Sequence, residues 1–173
     1  MAQRVPYDEF YEAVGRANGS WQAVEEGLRD IFTRTVLCVV AGSVLRTDSR
    51  SIAIMGNIFY SSTNIRGRLK MMDEVLQQAT DDTDIHKEWT AIQNKITHYY
   101  KRRNTLAHGM VWGSNGEASM IMASPFNINS RRSLNYAQVS ACTKSFKKLS
   151  IRTHDLAILI NKRLARPPIE QQQ

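Results

Sequence analysis

A chain of 173 residues, 42% hydrophobic and 23% charged, has the apolar material to fold one domain, expected here over 1–173, around its own core. Twenty-three Lys and Arg against sixteen Asp and Glu leave a net charge of +7 and a sequence pI near 9.6, a balance that favours acidic partners such as nucleic acid. The start, Met1-Ala2-Gln3-Arg4-Val5-Pro6, lacks the apolar stretch of a secretory signal, and the longest apolar run, Val36 to Val44, is too short to cross a bilayer, so a cytoplasmic protein is expected.

Pro6 opens a short helix from Tyr7 to about Ala17, which Asn18-Gly19 is expected to end. Ser20 then caps a second helix running to about Leu45, with Glu25 and Glu26 in its early turns. Trp21, Val24, Leu28, Ile31 and Phe32 mark its inner face. The run Val36 to Val44 is apolar on nearly every side, which suits a central element or one covered by a second subunit. Asp48 to Ser51 reads as a break and Ile52 to Tyr60 as a short apolar helix. Thr63 caps the next helix, whose inner positions are Ile65, Leu69, Met72 and Leu76. Thr80 to Asp84 ends that helix and caps the following one.

The following helix is the most regular. Ile85, Trp89, Ile92, Ile96 and Tyr99 recur at alternating steps of four and three, one face of an amphipathic helix. The same rhythm reaches Arg103 and then Leu106, which puts Arg103 in the middle of the apolar stripe, while Lys101 and Arg102 point away from it. A guanidinium directed inward keeps its charge and requires an anionic partner, whether a carboxylate on a neighbouring helix, a phosphate or a ligand. Asn104 and His108 share a face four residues apart. His108 suits the negative end of the helix, and Gly109 suits a left-handed terminating residue.

Beyond Gly109 the period changes. Residues 110–123 read as a β-hairpin around Asn115-Gly116, a strong short-range hairpin signal, and Pro125 to Arg132 as loop. The last helix runs from about Tyr136 to Ala165 with Val139, Cys142, Phe146, Leu149, Leu156 and Ile160 inward. Pro167-Pro168 stops it, leaving a flexible tail over 167–173. Cys38 and Cys142 fall on apolar helical positions and read as buried free thiols. The fold expected is all-α, an antiparallel helical bundle with a small β-hairpin inserted after the motif helix.

The stretch Arg103-Asn104-x-x-x-His108, closing an amphipathic helix with Tyr99 and Tyr100 one turn earlier, resembles the Arg-x(4–6)-His motif of the HEPN superfamily, small helical-bundle proteins that include many metal-independent ribonucleases. The resemblance covers about eleven residues as sequence and about 20 to 165 as a fold. It implies a homodimer in which two copies of the motif meet, with Arg103 on the scissile phosphate, His108 moving a proton and Asn104 positioning His108 or a phosphate oxygen. It also implies an endoribonuclease, in a toxin–antitoxin or phage-defence setting, with an antitoxin or other regulatory protein as a further partner. An acidic residue on an earlier helix often completes such sites; Glu25, Glu26, Asp30 and Asp73 are the candidates, and nothing in the sequence selects among them. The family also contains non-catalytic scaffolds that bind nucleotide or protein, which is the alternative reading.

The remaining chemistry is sparse. His86, His98, His108 and His154 never fall at metal-ligand spacing, no glycine-rich phosphate loop follows a strand, and no metal or cofactor is expected. Lys144, Lys147, Lys148 and Arg152 lie on the outer face of the last helix, with Arg131 and Arg132 just before it. They read as a solvated face or as a surface that tracks the phosphates of RNA. Tyr99 and Tyr100 read as core or interface residues or as rings on which RNA bases stack.

Overall fold

A computed structural model describes residues 4–41, 49–62, 64–123 and 133–164. The chain runs β1 (Val5–Pro6), α1 (Tyr7–Ala41), α2 (Ser49–Ser61), α3 (Ile65–Ala79), α4 (Thr83–His108), β2 (Met110–Ser114), β3 (Glu117–Met122), β4 (Ser133–Asn135) and α5 (Tyr136–Leu164). The fold is mostly helical with a small antiparallel sheet. The expected hairpin is there, but as two strands of four: β3 is flanked by β2 on one side and by β1 and β4 on the other. Neither β1 nor β4 shows in the sequence, because strands of two and three residues carry no period of their own.

The first expected break does not occur. Helix α1 passes through Asn18-Gly19-Ser20 without interruption. Its polar side chains are satisfied in place, with Ser20 Oγ donating to the Arg16 carbonyl at 2.8 Å and Asn18 Nδ2 to the Leu106 carbonyl at 3.3 Å. Tertiary bonding here overrides a local stop signal. Helix α2 already begins at Ser49, inside the expected break. Asn64 caps α3 by accepting from the Gly67 amide at 2.8 Å. Thr63, the expected cap, lies outside the described residues, as do the helix end at Leu45, the loop 125–132 with Arg131 and Arg132, and the tail.

The chain divides into two compact units, residues 1–24 with 94–150 and residues 25–93 with 151–173. In the first, Trp21 meets Phe146 edge-on at 5.0 Å between ring centroids, and Phe10, Ile96, Ile121 and Val139 are fully enclosed. In the second, Leu28, Ile31, Met72, Leu76, Trp89 and Ile160 are fully enclosed, with Trp89 Nε1 donating to Asp73 Oδ1 at 3.0 Å. The expected inner faces of α3, α4 and α5 are the buried ones; Cys38 and Cys142 are buried free thiols. Of the run beginning at Val36, Leu37 and Cys38 are buried while Val39 is 53% exposed. Val36 and Val39 line an apolar cavity of about 290 Å³ with Glu74, Val75 and Gln78.

No helix among the described residues is long and apolar enough to cross a membrane.

Candidate functional site

Helix α4 is held at both ends. At its start, Asp82 Oδ1 accepts from the amides of Asp84 and Ile85 at 2.9 and 3.3 Å, and these backbone bonds, the one from Ile85 above all, hold its carboxyl below the usual value. At its close, the helix makes its last regular bond through Gly109, and the next carbonyl, which lacks an intrahelical donor, is supplied from elsewhere. The Gly109 amide donates to the Thr105 carbonyl at 2.8 Å, and Asn18 supplies Leu106. Asn18 is therefore a cap for the motif helix. The Asn-Gly pair that looks like a helix stop at the level of sequence serves a partner eighty-eight residues away.

Gly109 does not adopt the left-handed conformation expected of it; among the described residues the positive-φ positions are Asn115 and Gly116. Its reason is closeness. A Cβ at Gly109 would lie 2.3 Å from the Thr105 carbonyl oxygen, 2.8 Å from Ile121 Cγ1 and 2.8 Å from the Met122 carbonyl oxygen. Any side chain would push the end of α4 away from β3.

Between those ends the stripe is as spaced. Ile85, Trp89, Ile92, Ile96 and Leu106 are buried, and Tyr99 and Arg103, in the same row, are half-buried. Arg103 Nη1 donates to Asn104 Oδ1 at 3.3 Å, so these two motif residues are brought together. His108 stays exposed at the helix end, four residues beyond the half-buried Asn104. The arrangement offers a partly desolvated guanidinium with an amide beside it, and an imidazole open to solvent five residues on, about 140° around an ideal helix from Arg103.

Tyr99 packs edge-on against Phe146 at 5.7 Å and against His98 at 5.0 Å, so its ring belongs to the core edge. Tyr100 is half-buried. Arg102, although exposed, reaches α5 and bonds the Cys142 thiol; burial pushes that thiol up, and the guanidinium offsets it only in part.

On α5, Lys144, Lys147 and Lys148 are exposed as expected. Arg152 is engaged otherwise. Its Nε and Nη2 form a forked pair with Glu88 at 2.8 and 2.9 Å, and that bonding raises its pKa. A guanidinium committed to a carboxylate in this geometry is a structural tie between α5 and α4. Of the acidic candidates, Glu25 pairs with Arg68 at 3.0 Å, Asp30 with Arg34 at 3.6 Å and Asp73 accepts from Trp89, while Glu26 is exposed. Among the described residues no three His, Cys, Asp or Glu side chains gather in a way that could hold a metal ion.

Compared with protein-family models, curated proteins and solved structures, the chain matches none.

Proposed function

We propose that this protein is a metal-independent endoribonuclease of HEPN type, acting at Arg103, Asn104 and His108, with two copies of the motif meeting at a dimer interface. The observation that carries the reading is Arg103, a half-buried arginine within a row of buried apolar side chains, five residues before an exposed histidine at a helix end capped by Asn18. Arg103 holds the scissile phosphate and offsets the charge that develops on its oxygens. The 2′-oxygen of the RNA attacks phosphorus, the bond to the 5′-oxygen breaks, and a 2′,3′-cyclic phosphate and a 5′-hydroxyl result. His108 moves a proton in this exchange, and Asn104 keeps the Arg103 fork in register. Lys144, Lys147 and Lys148 track the phosphates on either side. The apolar run that begins at Val36, with Val39 half exposed, supplies neutral surface for a two-fold contact between copies.

The test is incubation of the purified protein with mixed RNA in EDTA, with analysis of the ends and of the oligomeric state. Cleavage is expected to survive EDTA and to leave cyclic phosphates or their hydrolysis products. His108→Ala is expected to lower the rate by about 10²–10⁴-fold, and Arg103→Ala comparably. Arg103→Lys rescues poorly because an ammonium lacks the planar fork. His98→Ala, exposed and earlier on the same helix, is the matched control. A parent that cuts nothing, 3′-hydroxyl ends, or His108→Ala as active as the parent would defeat the enzyme reading and leave the non-catalytic scaffold. A clean monomer at micromolar concentration would defeat the shared site.

A further inference from the structure

An antiparallel sheet with one face on a core ordinarily turns polar side chains to water on the other. Here part of that second face is apolar. Its inward face carries Val111, Ile121 and Leu134, which oppose one another across β2, β3 and β4. Its outward face carries Met110 opposite Met122 and Trp112 opposite Met120, with the polar Ser133 and Asn135 of β4 on the far side of Met122 and Met120. Met110 is 53% and Trp112 43% exposed, whereas Trp21 and Trp89 are 2% and 1% exposed. Three of the seven methionines and the one exposed tryptophan among the described residues thus share a solvent face.

The position of Trp112 is built, not incidental. Just after it the pairing slips, from Trp112 opposite Met120 to Gly113 opposite Ala118, so Ser119 is the extra residue of a bulge. Ser119 Oγ donates to the Trp112 carbonyl at 3.2 Å. Gly113 lies so close to β3 that a Cβ there would be 1.8 Å from the Glu117 carbonyl oxygen. Asn115 and Gly116, at φ of 55° and 78°, close the hairpin in the turn whose twist matches its strands. A backbone held this way fixes the point from which the Trp112 side chain projects, which removes part of the entropy cost of binding.

We propose that the outward sheet face is a base-stacking platform for single-stranded RNA, with Trp112 taking a base close to the scissile phosphate; this deepens the ribonuclease reading above and rests on it. Trp112 follows His108 by four residues, which bounds their separation at about 14 Å of chain. Charge selects the occupant. Residues 94–150 hold nine Lys and Arg and a single acidic residue, Glu117. A second copy seated on this face brings the same excess of positive charge, whereas a polyanion neutralises it. Every base offers a π-face to an indole, and the polarizable thioethers of Met110, Met120 and Met122 adapt to whichever base lies against them.

The full-length His108→Ala protein, in which cleavage is slowed, is titrated with an unstructured oligouridylate while tryptophan emission and fluorescence anisotropy are followed together. Saturable quenching is expected. Trp112→Ala is expected to lose the quenching and to weaken binding about tenfold to a hundredfold, while Trp112→Phe retains most of the affinity. Binding by anisotropy without quenching, or Trp112→Ala binding as tightly as its parent, overturns the platform. So does a change of oligomeric state in Trp112→Ala with RNA affinity unchanged, which makes the face a contact between copies. The two readings fail separately. An active enzyme in which Trp112→Ala binds and cuts like the parent loses the platform and keeps the ribonuclease. A protein that binds with quenching and never cuts keeps the platform and loses the ribonuclease.

Discussion

The two compact units differ most in charge. Residues 1–24 with 94–150 hold eleven Lys and Arg against four Asp and Glu, while residues 25–93 with 151–173 hold twelve of each. The whole net charge of the chain therefore belongs to the first unit. In the neutral unit, cations meet carboxylates: Arg68 with Glu25 at 3.0 Å, Arg152 with Glu88 at 2.8 Å, and Arg163 with Asp82 at 2.8 Å. The Arg68 guanidinium also lies over the Tyr60 ring, 4.9 Å from its centroid. In the basic unit Arg16 pairs with Glu12, but four carboxylates cannot neutralise eleven cations. The lesson is a division of labour. One half uses charge to tie its own helices together, and the other accumulates a field that an external anion can neutralise. Arg103, His108, Lys144, Lys147, Lys148 and Trp112 all belong to the second kind of half.

The sharpest way to break that comparison is to remove cations from each side. Replacing Lys144, Lys147 and Lys148 together by Ala is expected to weaken RNA binding and to flatten its salt dependence by about two log units per log unit of salt, with the cleavage pattern unchanged. Arg152→Ala, on the same helix but committed to Glu88, is expected to lower the melting temperature and leave the salt slope alone. Binding isotherms at several salt concentrations, beside thermal melts, separate the two. A triple variant that binds like the parent would make the lysine face merely solvated. An equal loss of RNA binding in Arg152→Ala would erase the distinction between the halves.

A smaller effect tests the neutral unit through pH. Asp82 caps α4 as a carboxylate, and its backbone bonds lower its pKa from the ordinary 3.8. The folded protein therefore takes up this proton at lower pH than the unfolded chain does. The stabilisation is complete above about pH 4 and is lost as pH falls through the lowered folded value. Asp82→Asn keeps a capping oxygen but not the charge. Its melting temperature is expected to lie below that of the parent at neutral pH, and the gap should close as the pH is brought down past 4. A gap that stays constant into acid would mean that the charge of Asp82 contributes nothing to the cap.

These features were unequally visible beforehand. The rows of α3, α4 and α5 could be read because helical periodicity is local and each row is buried on one side. The hairpin could be read because Asn115-Gly116 tolerates the two positive φ angles its turn demands. Arg103 stood out for the same reason as its apolar neighbours, since it falls on their rhythm. What escaped was whatever depends on a distant partner. Arg152 looks like any exposed cation until Glu88, sixty-four residues away, is seen against it. Gly109 looks like a helix terminator, but its cause is the approach of β3. The apolar part of the sheet's outward face was open to inspection in Met110-Val111-Trp112 and Met120-Ile121-Met122, which show no polar alternation. Its meaning needed the register that sets those residues side by side.

The smallest effect belongs to the residue that sequence misjudged most, Asn18. Its amide supplies the Leu106 carbonyl in the last turn of α4, within the basic unit and just before His108. Asn18→Ala removes that donor and improves the local helix propensity of α1, so the two consequences oppose each other. The lost bond is worth about 1 kcal/mol, and the gain from alanine is about half of that, so global stability should fall only slightly. The loss is expected to concentrate where the bond was. Hydrogen exchange at Gly109, whose amide bonds Thr105, should accelerate, while exchange in the middle of α4 around Ile92 and Ile96 stays slow. If His108 acts from this helix end, loosening it should lower the cleavage rate a few-fold without changing RNA affinity, because the lysines and Trp112 are untouched. Unchanged exchange at Gly109 would show that α4 holds its last turn without Asn18. Faster exchange with undiminished cleavage would show that the chemistry does not depend on where that turn places His108.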